Sequence, residues 1–143
     1  MARSNRSKRI PDPKVSGKSK TLPIEGGTDY NTQTPVFCFA HLKSGFEVKD
    51  LAKHPRAQFA SRLQELSQLT WGEIMKQDRH KYGTELLSVE QLRTAMPAKF
   101  SDEDRVTVFR YMDRLPMVGV RVNDVFHVIA VEAHYGDLYD HGS

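Results

Sequence analysis

Three apolar stretches near the end of the chain, TVFRYM (107–112), PMVGVRV (116–122) and VFHVIAV (125–131), constrain the fold more than any other part. Each is rich in β-branched and aromatic residues and has the length of a single strand. Asn123-Asp124 links the last two, and because both residue types tolerate positive φ, a hairpin is expected there. Pairing Val122 with Val125 sets Arg121 opposite Phe126 and Val120 opposite His127. The two-residue period then places Val118, Val120, Val122, Val125, His127, Ile129 and Val131 on one face. Met117, Gly119, Arg121, Phe126, Val128 and Ala130 take the other. The last strand is apolar on both faces, so it is expected in the sheet interior, with the polar tail EAHYGDLYDHGS leaving its end.

Upstream of the meander the pattern changes to helical. Phe59, Leu63, Leu66 and Leu69 recur at helical spacing after Pro55, a residue suited to a first turn. Thr70 and Glu73 fit a capping box for a second helix that carries Trp71, Ile74 and Met75 and runs on toward Gly83. Ser88 and Gln91 repeat the capping spacing, which predicts a short third helix with Val89, Leu92 and Met96, closed by Pro97. Val36-Phe37-Cys38-Phe39-Ala40 follows Pro35 and is a short strand candidate at a sheet edge. The expected fold is α+β: two or three helices packed on an antiparallel sheet that ends in a three-stranded meander.

Charge divides the chain in two. Residues 1–20 hold seven of the 21 Lys/Arg and one of the 18 Asp/Glu, a surplus of six positive charges; the remainder holds 14 and 17. Residues 1–34 lack an apolar period and cannot offset their ordering entropy, which predicts a disordered or wrapping basic arm before a single domain at 35–143. Leu22 and Ile24 are the arm residues able to dock on the body. The single cysteine, Cys38, excludes an internal disulfide framework and makes a cytoplasmic location the default. With no run of about 18 apolar residues, no membrane span is expected.

Groups able to do chemistry concentrate late in the chain. His127, His134 and His141 are half of the six histidines, and imidazole both exchanges protons near neutral pH and ligates metals. His134, Asp137 and His141 form a loose ligand set at most. Arg110 and Arg121 lie in strands and can hold phosphate through a planar fork of donors; Arg79 and Lys81 follow the Trp71 helix. Against these stand plainer readings: His127 as a satisfied core histidine, Trp71 as core, Glu85 as an ion-pair partner of Arg79 or Lys81, and Cys38 as an inert thiol. No phosphate-binding glycine loop, nucleophile elbow or zinc-protease motif is present.

Helices followed by a meander, with FRYMDRLPMVGVRVNDVFHVIAVEAHYGDLYDHG at the end, resemble the RelE/HigB-type toxins of toxin–antitoxin modules over roughly residues 56–141. The resemblance implies an RNA-binding, metal-independent endoribonuclease acting on the ribosome without a cofactor, with an antitoxin as partner. It implies that Arg79, Lys81, Arg110, Arg121 and His127 contact RNA. It also implies that His134, Tyr139, Asp140 and His141, beside Tyr135, supply acid, base and orientation for attack of a 2′-hydroxyl on the adjacent phosphate. Two rival readings come from the residues alone. An acidic body suits a non-enzymatic phage-type protein that binds and inhibits a host protein, and the tail histidines suit a small metal- or acid–base-dependent hydrolase.

If the basic arm contacts phosphates, deleting residues 1–20 weakens nucleic-acid binding and flattens its salt dependence. A titration of affinity against salt checks this, and an unchanged slope counts against the arm as a phosphate contact.

Overall fold

The computed structural model describes residues 28–78 and 81–142. Five strands, β1 (Val36–Cys38), β2 (Thr84–Ser88), β3 (Arg105–Met112), β4 (Leu115–Val122) and β5 (Val125–Val131), form one sheet in the order β1-β5-β4-β3-β2. Two helices, α1 (Lys53–Leu66) and α2 (Trp71–Met75), lie between β1 and β2 in the chain. The fold is α+β, as expected. The sheet is mixed rather than antiparallel throughout, because β1 runs parallel to β5.

The hairpin forms with the expected register: Val122 faces Val125, Arg121 faces Phe126 and Val120 faces His127. Asn123 takes the positive φ, 61°. The Asp124 carbonyl then accepts hydrogen bonds from the Val36 amide and the Trp71 indole, each at 2.9 Å, so one turn anchors both β1 and α2. Beyond Val128 the register slips, and Gly119 faces Val128 while Val118 faces Ala130. This bulge reverses the expected faces of the last two residues. Ala130 joins Val118, Val120 and Ile129 on one side, and Val131 joins Met117, Phe126 and Val128 on the other.

Two cores result. On one face Phe59, Leu66, Trp71 and Ile74 of the helices pack against Phe109, Tyr111, Met117 and Phe126. The capping box at α2 is complete: Glu73 donates its amide to Thr70 Oγ1 at 3.1 Å, and Thr70 donates to Glu73 Oε1 at 2.8 Å. Among the described residues no α-helix covers the other face; a 3-10 turn and irregular chain do, with Phe100, Leu138 and Tyr139 buried on Val106, Val108 and Val118.

Three expectations are corrected. The predicted third helix at Ser88–Met96 is reduced to a single 3-10 turn, Val89–Gln91; Ser88 is instead the last residue of β2 and makes no side-chain cap. Ser88 pairs with Arg105 of β3 and the Val89 amide donates to Asp104 O at 3.0 Å, so the sheet holds the backbone where the helix was expected to start. The second helix stops at Met75, because Gln77 and Asp78 offer no apolar side chain to the core. Part of the expected arm is ordered: Tyr30–Thr32 make a 3-10 turn and the Gln33 carbonyl accepts from the Trp71 amide at 2.9 Å. Leu22, Ile24 and the basic residues of the arm lie outside the described residues. No helix among the described residues is long and apolar enough to cross a membrane.

At the bulge, a Cβ on Gly119 would lie 2.2 Å from the His127 carbonyl oxygen and 2.9 Å from Phe126 Cζ. Gly119→Ala is therefore expected to destabilise the fold by roughly 1–3 kcal/mol, read as a lower urea midpoint; an unchanged midpoint would mean that the strand crossing relaxes freely.

Candidate functional site

The period-two pattern of β3 sends Phe109 and Tyr111 toward the helices and Arg110 to the opposite face. Glu85 on β2 faces Val108, so it is the diagonal neighbour of Arg110 on the same face, within reach of a long side chain. The two form an ion pair, Arg110 Nη2 to Glu85 Oε2. The Arg110 backbone is held from behind, since its carbonyl accepts from Arg62 Nη1 of α1 at 2.9 Å.

The C-terminal segment completes the site by folding back over this face. Leu138 and Tyr139 are buried, and Arg93 fastens the segment through Leu138 O and Gly136 O, at 2.8 and 2.6 Å. His141 lies between two aromatic rings, stacked on Tyr135 (centroids 4.0 Å apart) and on Tyr139 (4.1 Å). Its Nε2 meets Glu132 Oε1 at 2.9 Å, and Glu132 Oε2 accepts from the Leu138 amide at 2.8 Å.

Arg110 Nη1 has two hydrogens and three acceptors. It donates to Arg114 O at 2.8 Å and approaches both Tyr139 Oη and His141 Nδ1 at 3.4 Å. A guanidinium can only donate, so a hydrogen bond along this contact uses Nδ1 as acceptor, in the tautomer that carries its proton on Nε2 beside Glu132. An open cleft of about 330 Å³ adjoins these groups, lined by Glu85, Leu87, Gln91, Arg110, Tyr139, Asp140, His141 and Gly142. Burial pushes the Tyr139 hydroxyl up to about 12, against the pull of the Arg110 charge and with Glu85 and Glu132 adding to the rise. Tyr139 is thus a neutral phenol at physiological pH. The arrangement can bind an oxyanion, accept a proton at Nδ1 and donate one from Tyr139.

Not every expected residue joins this cleft. Arg110, Tyr139, Asp140 and His141 do; Asp140 is exposed at the rim, its carboxylate accepting from the Gly142 amide at 2.9 Å. Arg121 lies on the opposite face, five residues along β4 from Pro116, the partner of Arg110, or roughly 17 Å. There it sits over the Trp71 ring, 4.2 Å from its centroid, and donates to Asn31 Oδ1 and Asn123 O. Strand parity therefore keeps Arg110 and Arg121, both expected to contact RNA, from sharing one site. His127 is half-buried with His41 and Phe100, and its Nδ1 has no hydrogen-bond partner among the described residues, so it is not the satisfied core histidine expected. Burial, then the Lys99 and His41 charges, push its pKa down, which makes it a poor phosphate contact.

Lys81 is exposed in the turn before β2, its carbonyl taken by Arg62 at 2.8 Å; Arg79 lies outside the described residues. His134 is exposed and lines a neighbouring cleft. The ligand set His134, Asp137 and His141 does not assemble: among the described residues no group of three His, Cys, Asp or Glu is placed to hold a metal ion. One residue is an ion-pair partner as expected, though of Arg110, and one enters that sequence reasoning passed over. Glu85 pairs with Arg110, and Glu132, fully buried, positions His141. A lone acid directly after an apolar strand was the available signal for Glu132.

No family model, curated protein or solved structure matches this chain.

The two buried phenols titrate late. Tyr111, also pushed up to about 12 by burial and by Glu132, donates to the Glu132 carbonyl at 2.6 Å. Both folded values exceed the ordinary 10, so the stability they support is intact below pH 10 and is lost as pH rises toward 12. Phenolate absorbance should show two of the five tyrosines ionising only there, together with unfolding; ionisation of all five near pH 10 in folded protein would contradict this burial.

Proposed function

We propose that the protein is an RNA-binding domain of RelE/HigB type and a metal-independent endoribonuclease, with the Arg110–Tyr139–His141 cleft as its site. One observation carries the reading: a single guanidinium nitrogen stands 3.4 Å from both a neutral phenol and an imidazole Nδ1 at the mouth of an open cleft. The order of strand, helices and meander suits the same resemblance.

In this reading a phosphate entering the cleft takes over the long Nη1 contacts of Arg110. That frees His141 Nδ1 to remove the proton of the neighbouring 2′-hydroxyl, and Glu132 holds the imidazole in the required tautomer. The 2′-oxygen attacks phosphorus, Arg110 bears the charge on the phosphorane oxygens, and the Tyr139 hydroxyl protonates the departing 5′-oxygen. A 2′,3′-cyclic phosphate and a free 5′-hydroxyl remain. Glu85 keeps Arg110 aimed into the cleft.

A second reading, a module that binds a host protein, draws on an apolar groove of about 340 Å³ on the helical side. Phe39, Val48, Phe59, Ala60 and Leu63 line it.

The test is cleavage of ribosome-bound mRNA, with chelator present, by the full chain and its variants. Arg110→Gln and His141→Ala are each expected to lower the rate roughly a hundred- to thousandfold and to relieve growth arrest on induction. Arrest that survives both substitutions, with no cleavage by the parent protein, would overturn the nuclease and favour the protein-binding reading.

A further inference from the structure

Strand β2 closes one side of the sheet, and its outer edge is bare. The Val89 amide bonds to Asp104 O, next in register after the Ser88–Arg105 pair. Alternation along an antiparallel ladder then turns the amides and carbonyls of Glu85 and Leu87 toward β3 and leaves the Leu86 amide and carbonyl, the Thr84 carbonyl and the Ser88 amide pointing outward. Among the described residues no other segment bonds to these outward groups. Exposed edges are normally blunted by a lysine, a proline or a bulge. Thr84–Ser88 contains neither residue, and its register with β3 is unbroken. Leu86, at its centre, is 63% exposed, more than any other large apolar side chain among the described residues. Met75, also exposed, borders the same cleft of about 230 Å³. The opposite edge strand, β1, is only three residues long.

We propose that the protein forms a two-fold dimer in which β2 pairs antiparallel with β2 of a second copy, joining the two sheets into one. With the axis at Leu86, each Leu86 exchanges amide and carbonyl bonds with the partner's Leu86, and each Ser88 amide donates to the carbonyl of the partner's Thr84. The most exposed leucine thus faces itself. Glu85 stands opposite the partner's Leu87, so no like charges meet across the ladder. The axis also sets the start of one β2 against the end of the other. Lys81, exposed just before the strand, therefore comes to the partner's Glu90, exposed just after it. This register and this charge match select a second copy of the chain as the occupant. The dimer also reaches the Arg110 cleft, which Glu85 and Leu87 line. Directly opposed residues share a face, so the partner's Leu87 stands beside Glu85 at the cleft, and both clefts open on one side of the joined sheet.

Sedimentation of the full chain across a concentration series should show twice the 16.3 kDa monomer mass, with a dissociation constant in the micromolar range, on the order of 1–10 µM. Leu86→Lys should raise that constant roughly tenfold or more while far-UV circular dichroism stays unchanged. Lys81→Glu should weaken the dimer, and adding Glu90→Lys should restore it. Leu86→Cys, in a chain that also carries Cys38→Ser, should yield a disulfide-linked dimer on mild oxidation, since hydrogen-bonded antiparallel neighbours lie about 5.5 Å apart at Cα. Val36→Cys in the same background, on the other edge, should remain unlinked. A chain still monomeric at about 100 µM, or a dimer that neither weakens with Leu86→Lys nor cross-links through Leu86→Cys, overturns the proposal. Should Leu86→Lys fail to fold, the cross-link decides alone. None of these readouts involves RNA, so the dimer stands or falls apart from the proposed nuclease.

Discussion

Glu132 is the buried charge on which the arrangement of the C-terminal segment depends. It is fully inaccessible, and removing a carboxylate from water costs several kcal/mol unless its oxygens are matched. Each polar group of the residue has a partner. The amide donates to Pro116 O at 3.0 Å, the carbonyl accepts from Tyr111, and the carboxylate takes the Leu138 amide and His141 Nε2. Two of these bonds hold the end of β5 in the sheet, and two require the following ten residues to turn back over it. The segment therefore folds along a route that satisfies the carboxylate, and Leu138 and Tyr139 are buried as it does so.

A catalytic arrangement and a structural latch use the same contacts here. The bond that gives Glu132 Oε1 its partner also orients the His141 imidazole, and the rings that enclose the imidazole also cover the sheet. Such economy explains how a small domain holds an imidazole, a phenol and a guanidinium in one place without a regular helix on that face. It also means that His141 and Glu132 substitutions disturb folding and chemistry together, whereas Arg110, which lines the cleft, reports on binding more directly.

The strands were legible where two periods agreed. The β4–β5 register followed from Asn123-Asp124 and the valine alternation, and the interior place of β5 followed from its apolar residues on both faces. What failed had no local signature. A one-residue bulge at Ile129 moves Ala130 and Val131 to opposite faces while leaving the composition unchanged. The five residues of β2 carry adjacent leucines followed by a false capping pair at Ser88 and Gln91, so neither period was clear. The direction of β1 is set by where α1 and α2 return the chain, not by its three residues. For the site, the tail residues could be named but their partners could not, because Glu85 reaches Arg110 only through strand pairing.

The position of Arg110 bears on the charge imbalance of the chain. A guanidinium paired with Glu85 and hydrogen-bonded to neutral groups projects little net charge, and the body as a whole is slightly acidic. Long-range attraction of a polyanion cannot then originate at the cleft. On the proposed reading the two tasks are divided: the basic N-terminal residues raise the encounter rate over distances comparable to the Debye length, and Arg110 acts only at contact, when a phosphate replaces its weak bonds to Tyr139 and His141.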